Sequence, residues 1–344
     1  MRLRSFVAVL CAALALAPGP VLAWGAQGHR IVNGAAIRAL PETVPAFLRS
    51  PAAHDEIALL GPEADRVKGA GKPLDDDENP AHYVDVQDDG TIAGTAKLTA
   101  LPDDRRLYDR ALAAAAPATD GYAQGYLPYA IADGWQHIVR DLAYWRVDVV
   151  GEAKAPTADE RAFFAFDRGV REALTLRDIG YWGHFVADGS QPLHVSVHFN
   201  GWNGPRTAYA NPSAFSNSPT IHARFETALV RAVANEDLVS GRVRALALSA
   251  DPILGQVGAY LATTGTFVPA VYRLEAAGGI DAHSPEATAL VIDRLAAGAA
   301  EMRDLIVDAW QASGAAGVGY PPVSVRDFES GAVVPTRTNT GLGD

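Results

Sequence analysis

The sequence predicts an all-α fold, a mainly helical single domain. Six stretches place apolar residues three or four apart and are rich in Ala, Leu and Arg, the pattern of helices with one buried face. No run of alternating β-branched residues demands a sheet, and neither an internal repeat nor a glycine-rich nucleotide loop interrupts the pattern.

Taken in order, the chain opens with Arg2 and Arg4, the apolar run "FVAVLCAALAL" and the small-residue ending "VLA". These are the parts of a signal peptide, so residues 1–23 are expected to be removed and the protein to be exported, periplasmic or secreted. The run is too short to span a bilayer, which takes about 20 apolar residues, and no transmembrane segment is expected. Cys11, the only cysteine, falls inside the leader. The mature chain then has no disulfide, and its stability rests on a core and on metals. Helical periodicity follows at 29–48, 104–116, 128–145, 157–188, 221–235 and 284–310, with "TADE" at 157 and "SPEA" at 284 reading as helix starts. Residues 86–103 and 199–220 read as loops. The helical domain is expected to cover 24–312. From 313 to 344 the periodicity is lost, which predicts an irregular or disordered tail.

Charge excludes one class of function. The chain carries 29 Lys and Arg against 40 Asp and Glu, a net charge of −11. Without Arg2 and Arg4 the balance is 27 against 40, a net −13. With no basic run to neutralise a phosphate backbone, non-specific nucleic-acid binding through a basic surface is ruled out. Any phosphate must be held locally.

The chemistry concentrates in two short motifs. In "GHFVADGSQPLH", His184 and Asp188 stand four apart, which on a helix puts both side chains on one face. His194 follows six residues beyond Asp188. In "HARFE", His222 and Glu226 repeat the four-residue spacing. Imidazole nitrogens mixed with carboxylate oxygens suit zinc.

Five fragments together carry a resemblance: "WGAQGH" at 24–29, "EADRVK" at 63–68, "HYVD" at 82–85, "HFVADGSQPLH" at 184–194 and "HARFE" at 222–226. In this order they resemble the zinc-dependent single-strand nucleases of fungi, plants and bacteria, the S-one/P-one type. That family shares an all-helical fold and a trinuclear zinc site with bacterial zinc phospholipase C. The resemblance implies three zinc ions. One would be held by Asp65, His82, His184 and Asp188; Asp188 would bridge to a second, bound by His29 and by the N-terminal amine and carbonyl oxygen of Trp24. The third would be held by His194, His222 and Glu226. Asp65 and Asp188 would be the catalytic carboxylates. His54, His137, His198 and His283 receive no role.

The activity so implied is phosphodiester hydrolysis by zinc-activated water, in a nuclease cutting single-stranded DNA or RNA with 3′-nucleotidase-like activity. Lys68 would contact phosphate, Tyr83 would stack on a base, and Asp85 would accept a hydrogen bond from a base edge. The alternatives are a phospholipase C acting on phosphocholine lipids, with Tyr83 against the choline, and a zinc-binding homologue without turnover. The chain departs from the nuclease pattern at several points. Glu226 stands where the nucleases usually carry Asp and the phospholipases Glu, and Ser190 stands where the nucleases often carry His. The stretch between His82 and His184 is long, and Asn200 and Asn203 echo the nucleoside-pocket loop only loosely.

Overall fold

Thr157 and Ser284 open the two longest helices in the way their side chains predict. Thr157 Oγ1 accepts from the Glu160 amide at 3.1 Å, and Ser284 Oγ accepts from the Ala287 amide at 3.2 Å. The computed structural model describes residues 24–71, 73–115, 120–202 and 215–343. The signal peptide read at 1–23 lies outside the described residues, as does 203–214 of the second expected loop, Asn203 included.

The expected all-α class is what the structure shows: the described chain is mainly helical. The longer helices are α1 (Gly25–Arg38), α2 (Pro51–Leu60), α3 (Arg105–Ala115), α4 (Leu127–Lys154), α5 (Ala158–Asp188), α6 (Ile253–Gly265), α7 (Val268–Ala276) and α8 (Pro285–Ser313). The described residues hold two small antiparallel hairpins, β1 (Thr91–Ile92) with β2 (Ala96–Lys97) and β3 (Gly317–Val318) with β4 (Val323–Ser324). Among the described residues no helix is long and apolar enough to cross a membrane.

Three residues join α4 to α5, so the two pack antiparallel along their lengths. Helix α1 packs against α2, α5 and α8, and Val32, Ala35 and Ala36 on it are fully buried. Asn33, also fully buried, ties these helices together: its Nδ2 donates to Ile57 O on α2 at 3.0 Å and to Gly180 O on α5 at 2.9 Å. One turn earlier on α1 is His29, so the same clamp sets the height of that imidazole against the end of α5.

Sequence periodicity overlooked α2, α6 and α7. Helix α6, with glycine at 255, 258 and 265, has weak intrinsic propensity, and its helicity comes from burying Val257 and Leu261. The 29–48 stretch breaks after Arg38, just before Pro41, and resumes as a 3₁₀ turn at Ala46–Arg49. The tail is a correction. The stretch expected to be irregular or disordered carries β3, β4 and a helical turn at Val325–Ser330, with Val318, Val325 and Phe328 buried against Ala143 and Val147 of α4. Arg146 secures it, donating to Ser313 Oγ at 2.8 Å, Trp310 O at 2.9 Å and Glu329 Oε1 at 2.8 Å. Three apolar residues scattered among Gly and Pro leave no period to read, yet they suffice once α4 offers a surface.

Candidate metal centre

The last turn of α5 is wholly buried, and it presents His184 and Asp188 on one face, Nε2 to Oδ2 at 3.4 Å. The two carboxylate oxygens of Asp188 look to different neighbours. Oδ1 faces His29 Nε2 at 3.5 Å, while Oδ2 faces His184 and lies 3.6 Å from His194 Nδ1. His29 stacks on His184 with ring centroids 3.7 Å apart. A 3₁₀ turn at Glu63–Arg66 brings in Asp65, whose Oδ1 is 3.6 Å from His82 Nε2 and 3.9 Å from His184 Nε2. Beyond α5, the Gln191 side chain accepts from the Leu193 amide at 2.7 Å and turns the chain so that His194 points back. His194 Nε2 is 3.6 Å from Glu226 Oε2, and His222 Nε2 is 2.8 Å from the same oxygen. The expected α-helix at 221–235 is broken here by a π-helical turn, Arg224–Leu229, which carries Glu226.

Three groups of donors result, each with its ligand atoms within 4.8 Å of one another: His29, Asp65 and His184; His82, His184 and Asp188; and His194, His222 and Glu226. These are donor sets that could hold metal ions.

Backbone carbonyls prepare the imidazoles for that. Nδ1–H of His82 donates to Glu78 O at 2.6 Å, that of His184 to Gly61 O at 2.8 Å, that of His222 to Phe199 O at 3.2 Å, and that of His194 to His82 O. A carbonyl can only accept, so each Nδ1 must carry the hydrogen, and in the neutral ring Nε2 is left with its lone pair. All four Nε2 atoms are buried without a hydrogen-bond partner among the described residues, and so are both oxygens of Asp188, Oδ1 of Asp65 and Oε1 of Glu226. Lone pairs facing lone pairs away from water are satisfied by a cation.

The electrostatics divide the imidazoles, two of which resist protonation and two of which are drawn toward it by carboxylates. Burial pushes the His82 pKa well below its ordinary value, helped by the Lys68 charge, and burial also lowers that of His222. Burial opposes charge on His184 and His194, but Asp188 outweighs it and both rise. Glu226 is held down to about 2: burial works the other way and is overcome by His222 and His194. Burial raises the Asp65 carboxyl.

Trp24 is fully buried beside this cluster. Its indole N–H donates to Ala187 O at 2.8 Å and lies 3.0 Å from Ser190 Oγ, which pins the start of α1 to the end of α5 next to Asp188. Its own carbonyl accepts from the Gly28 amide at 3.2 Å. Ser190 thus takes up the indole at the position where the resemblance led one to expect His.

The three residues assigned to substrate come together. A cavity of about 190 Å³ is lined by Lys68, Tyr83 and Asp85, and its floor includes His194 and His222. Lys68 Nζ is 3.9 Å from Asp65 Oδ1. Tyr83 donates its hydroxyl to Tyr122 O at 2.6 Å, and Gly125, at φ +87°, lies against the Tyr83 carbonyl where a Cβ would come within 1.9 Å. Asp85 is almost wholly buried.

Sequence reasoning missed the supporting residues. Gln191 donates to Glu226 Oε2 at 3.2 Å. Gly61 supplies the carbonyl under His184, and a Cβ there would lie 2.9 Å from the His29 backbone, so only glycine lets α2 end against α1 at this point. Of the histidines left without a role, His54 pairs with Glu236 at 2.9 Å and His198 with Asp88 at 2.8 Å; His137 and His283 are exposed.

The fold and site define a mainly helical protein with buried His and carboxylate groups able to hold metal. No family model matches the chain, and no curated protein matches it. Among solved structures it is similar to the alpha toxin from Clostridium absonum, with 11% sequence identity and a TM-score of 0.42 over 83% of this chain. The match spans 66% of the toxin chain's length.

Proposed function

We propose that this chain is an exported zinc-dependent phosphodiesterase, and specifically a nuclease that hydrolyses single-stranded DNA and RNA with 3′-nucleotidase-like activity. The observation that carries the reading is the set of buried imidazole Nε2 atoms brought against carboxylate oxygens. This N/O donor set suits zinc. In this reading three zinc ions are held, by Asp65, His82, His184 and Asp188, by Asp188, His29 and the amine and carbonyl of Trp24, and by His194, His222 and Glu226. The mature chain begins at Trp24, and the catalytic domain spans 24–312. Zinc bound there supplies Lewis acidity, lowering the pKa of water toward neutrality and offsetting charge on a phosphodiester.

The chain's own residues do the rest. The Nδ1–H bonds to backbone carbonyls hold each imidazole in one orientation and one tautomer. Lys68, at the cavity wall, gives a phosphate oxygen a positive contact in an otherwise acidic protein. Tyr83 is fixed through its hydroxyl and offers a ring for stacking, and Asp85 offers an acceptor to a base edge. Bases in a duplex would have to unstack to reach Tyr83, which favours single strands.

Glu226 favours a second reading, a phospholipase C for phosphocholine lipids, because the phospholipases carry Glu at this position. Denatured DNA, RNA and a chromogenic phosphocholine substrate, assayed side by side on zinc-loaded protein, separate the two. Hydrolysis of the nucleic acids supports the nuclease. Turnover confined to the phosphocholine substrate overturns it, and bound zinc without any phosphodiester hydrolysis identifies a non-catalytic homologue.

A further inference from the structure

On the far side of α6 from the hairpin β1–β2 is a second cavity, of about 580 Å³, between α6 and α8. Its lining is heavily charged, and nearly every charge in it is matched. Arg242 pairs with Asp293 at 2.7 Å. Arg244 pairs with Asp304 and lies 3.4 Å from Glu301, and Asp304 is also held by Arg303, whose Nε donates to it at 2.7 Å. Asp251 accepts from Ser249 Oγ at 3.2 Å.

Arg294 is the exception. It is 8% exposed, its Nε and Nη1 are buried, and neither has a hydrogen-bond partner among the described residues. Among the described residues its guanidinium forms no ion pair; it lies 4.2 Å from the centre of the Phe267 ring. A second donor lines the same space: Thr264 is fully buried and its Oγ1 has no hydrogen-bond partner among the described residues, whereas the neighbouring Thr263 donates to Ala259 O. A buried guanidinium cannot escape its desolvation cost by losing its proton, and Asp293, next to it in sequence, is already engaged by Arg242.

We infer that the cavity between α6 and α8 is a binding site for a small oxyanion, a carboxylate or a sulfate- or phosphate-type group, with Arg294 as the principal contact and the Thr264 hydroxyl as a second donor. The planar guanidinium, with Phe267 against its face, offers its edge N–H groups to two oxygens of one ligand. Burial pushes the Glu301 carboxyl up to about 7, which reduces the negative charge of the wall near neutrality. None of these residues belongs to the His and carboxylate groups of the metal centre, so the site stands whatever substrate that centre takes.

The test is thermal unfolding of the full mature protein, zinc-loaded, with sodium sulfate or sodium acetate compared against sodium chloride at matched ionic strength. For a dissociation constant of about 1 mM, 50 mM ligand should raise the melting temperature by about 4 °C. Whichever of the two salts gives the larger rise identifies the tetrahedral or the planar class. In Arg294→Met the rise should fall to the general salt effect alone, the wild-type excess over it being the binding signal, and the variant should melt no lower than wild type in chloride, because a buried unpaired charge has been removed. Sulfate also stabilises proteins in general, and the variant measures that background. Ala297→Leu, which narrows the cavity and leaves Arg294 in place, should lose the response as well and serves if the methionine variant fails to fold. A wild-type protein indifferent to both anions, or an equal rise in wild type and variants, would overturn the site and leave Arg294 merely hydrated.

Discussion

Helix α5 runs between two clusters of buried carboxylates, one shared with α4 and one at its own C-terminal end, and the two clusters are neutralised by different groups. Near its start, Asp167 faces α4, where Asp141 and Asp148 are buried to 1% exposure. The cations there are arginines: Arg171 lies 3.7 Å from both Asp167 and Asp141, and Arg140 lies 3.1 Å from Asp141. Asp148 has no arginine within ion-pair distance among the described residues, and burial together with Asp167 pushes its pKa up to about 8, so it keeps a proton. At the other end Asp188 faces the imidazoles of His29, His184 and His194, and the last two have their Nδ1 hydrogen committed to a backbone carbonyl. Arginine and a proton satisfy the first end from within the protein. The second end sets carboxylates against imidazole nitrogens, a donor set that could hold metal ions.

The largest effect should follow from breaking the second end. Asp188→Asn removes the carboxylate that both His29 and His184 face, and it should abolish phosphodiester turnover; Glu226→Gln, which touches His194, His222 and Gln191 but not His29 or His184, should leave measurable activity. Metal analysis of the purified variants should show the same order of loss, and a fully active Asp188→Asn protein would remove Asp188 from the mechanism. Next in size is Gln191→Leu. It deletes the donor to Glu226 without touching an imidazole, and metal affinity measured by competition with a chelator should fall about 10- to 100-fold.

The first end responds to pH instead. The Asp148 pKa is raised to about 8 in the folded protein against about 4 in the unfolded chain, so between these values the folded state holds a proton that the unfolded state has released. Stability from this group is therefore fully present below about pH 4 and is lost as pH rises through 8. Asp148→Asn cannot ionise, and urea denaturation should show it gaining on wild type by about 4 kcal/mol between pH 5 and pH 8.5. An equal difference at both pH values would show that Asp148 does not hold a proton. The smallest effect is expected at the join between α1 and α5: Ser190→Ala takes one of two acceptors from the Trp24 indole and should lower stability by about 1 kcal/mol in the same denaturation assay.

The comparison also shows what could be read from sequence and what could not. His184 with Asp188, and His222 with Glu226, announce themselves because imidazole and carboxylate types are rare enough, and the four-residue spacing regular enough, to stand out. The helical class was legible for the same reason in α4, α5 and α8. The carbonyls of Gly61, Glu78, His82 and Phe199 were not, since every residue carries one and only the fold selects which four lie under the imidazoles. Gln191 and Asn33 were passed over because a single amide has no period and no partner in sequence. The π-helical turn at Arg224–Leu229 is invisible too: it differs from an α-turn in the ring its hydrogen bonds close, not in its apolar spacing. Arg294 sits on α8 in a run of Ala and Leu that hides it as an ordinary helix former.

The burial of Trp24 sets an order of events. A peptidase needs several residues of extended, accessible chain on both sides of the bond it cuts, and Trp24 in the folded protein has no exposed surface and an indole bolted to the end of α5. On the proposed reading, in which a leader is removed after Ala23, that cleavage would have to act on the unfolded chain, before α1 docks. On that reading the end of processing and the docking of α1 beside Asp188 would meet at one residue, and a chain that folded before it was cut would hide the bond from a peptidase.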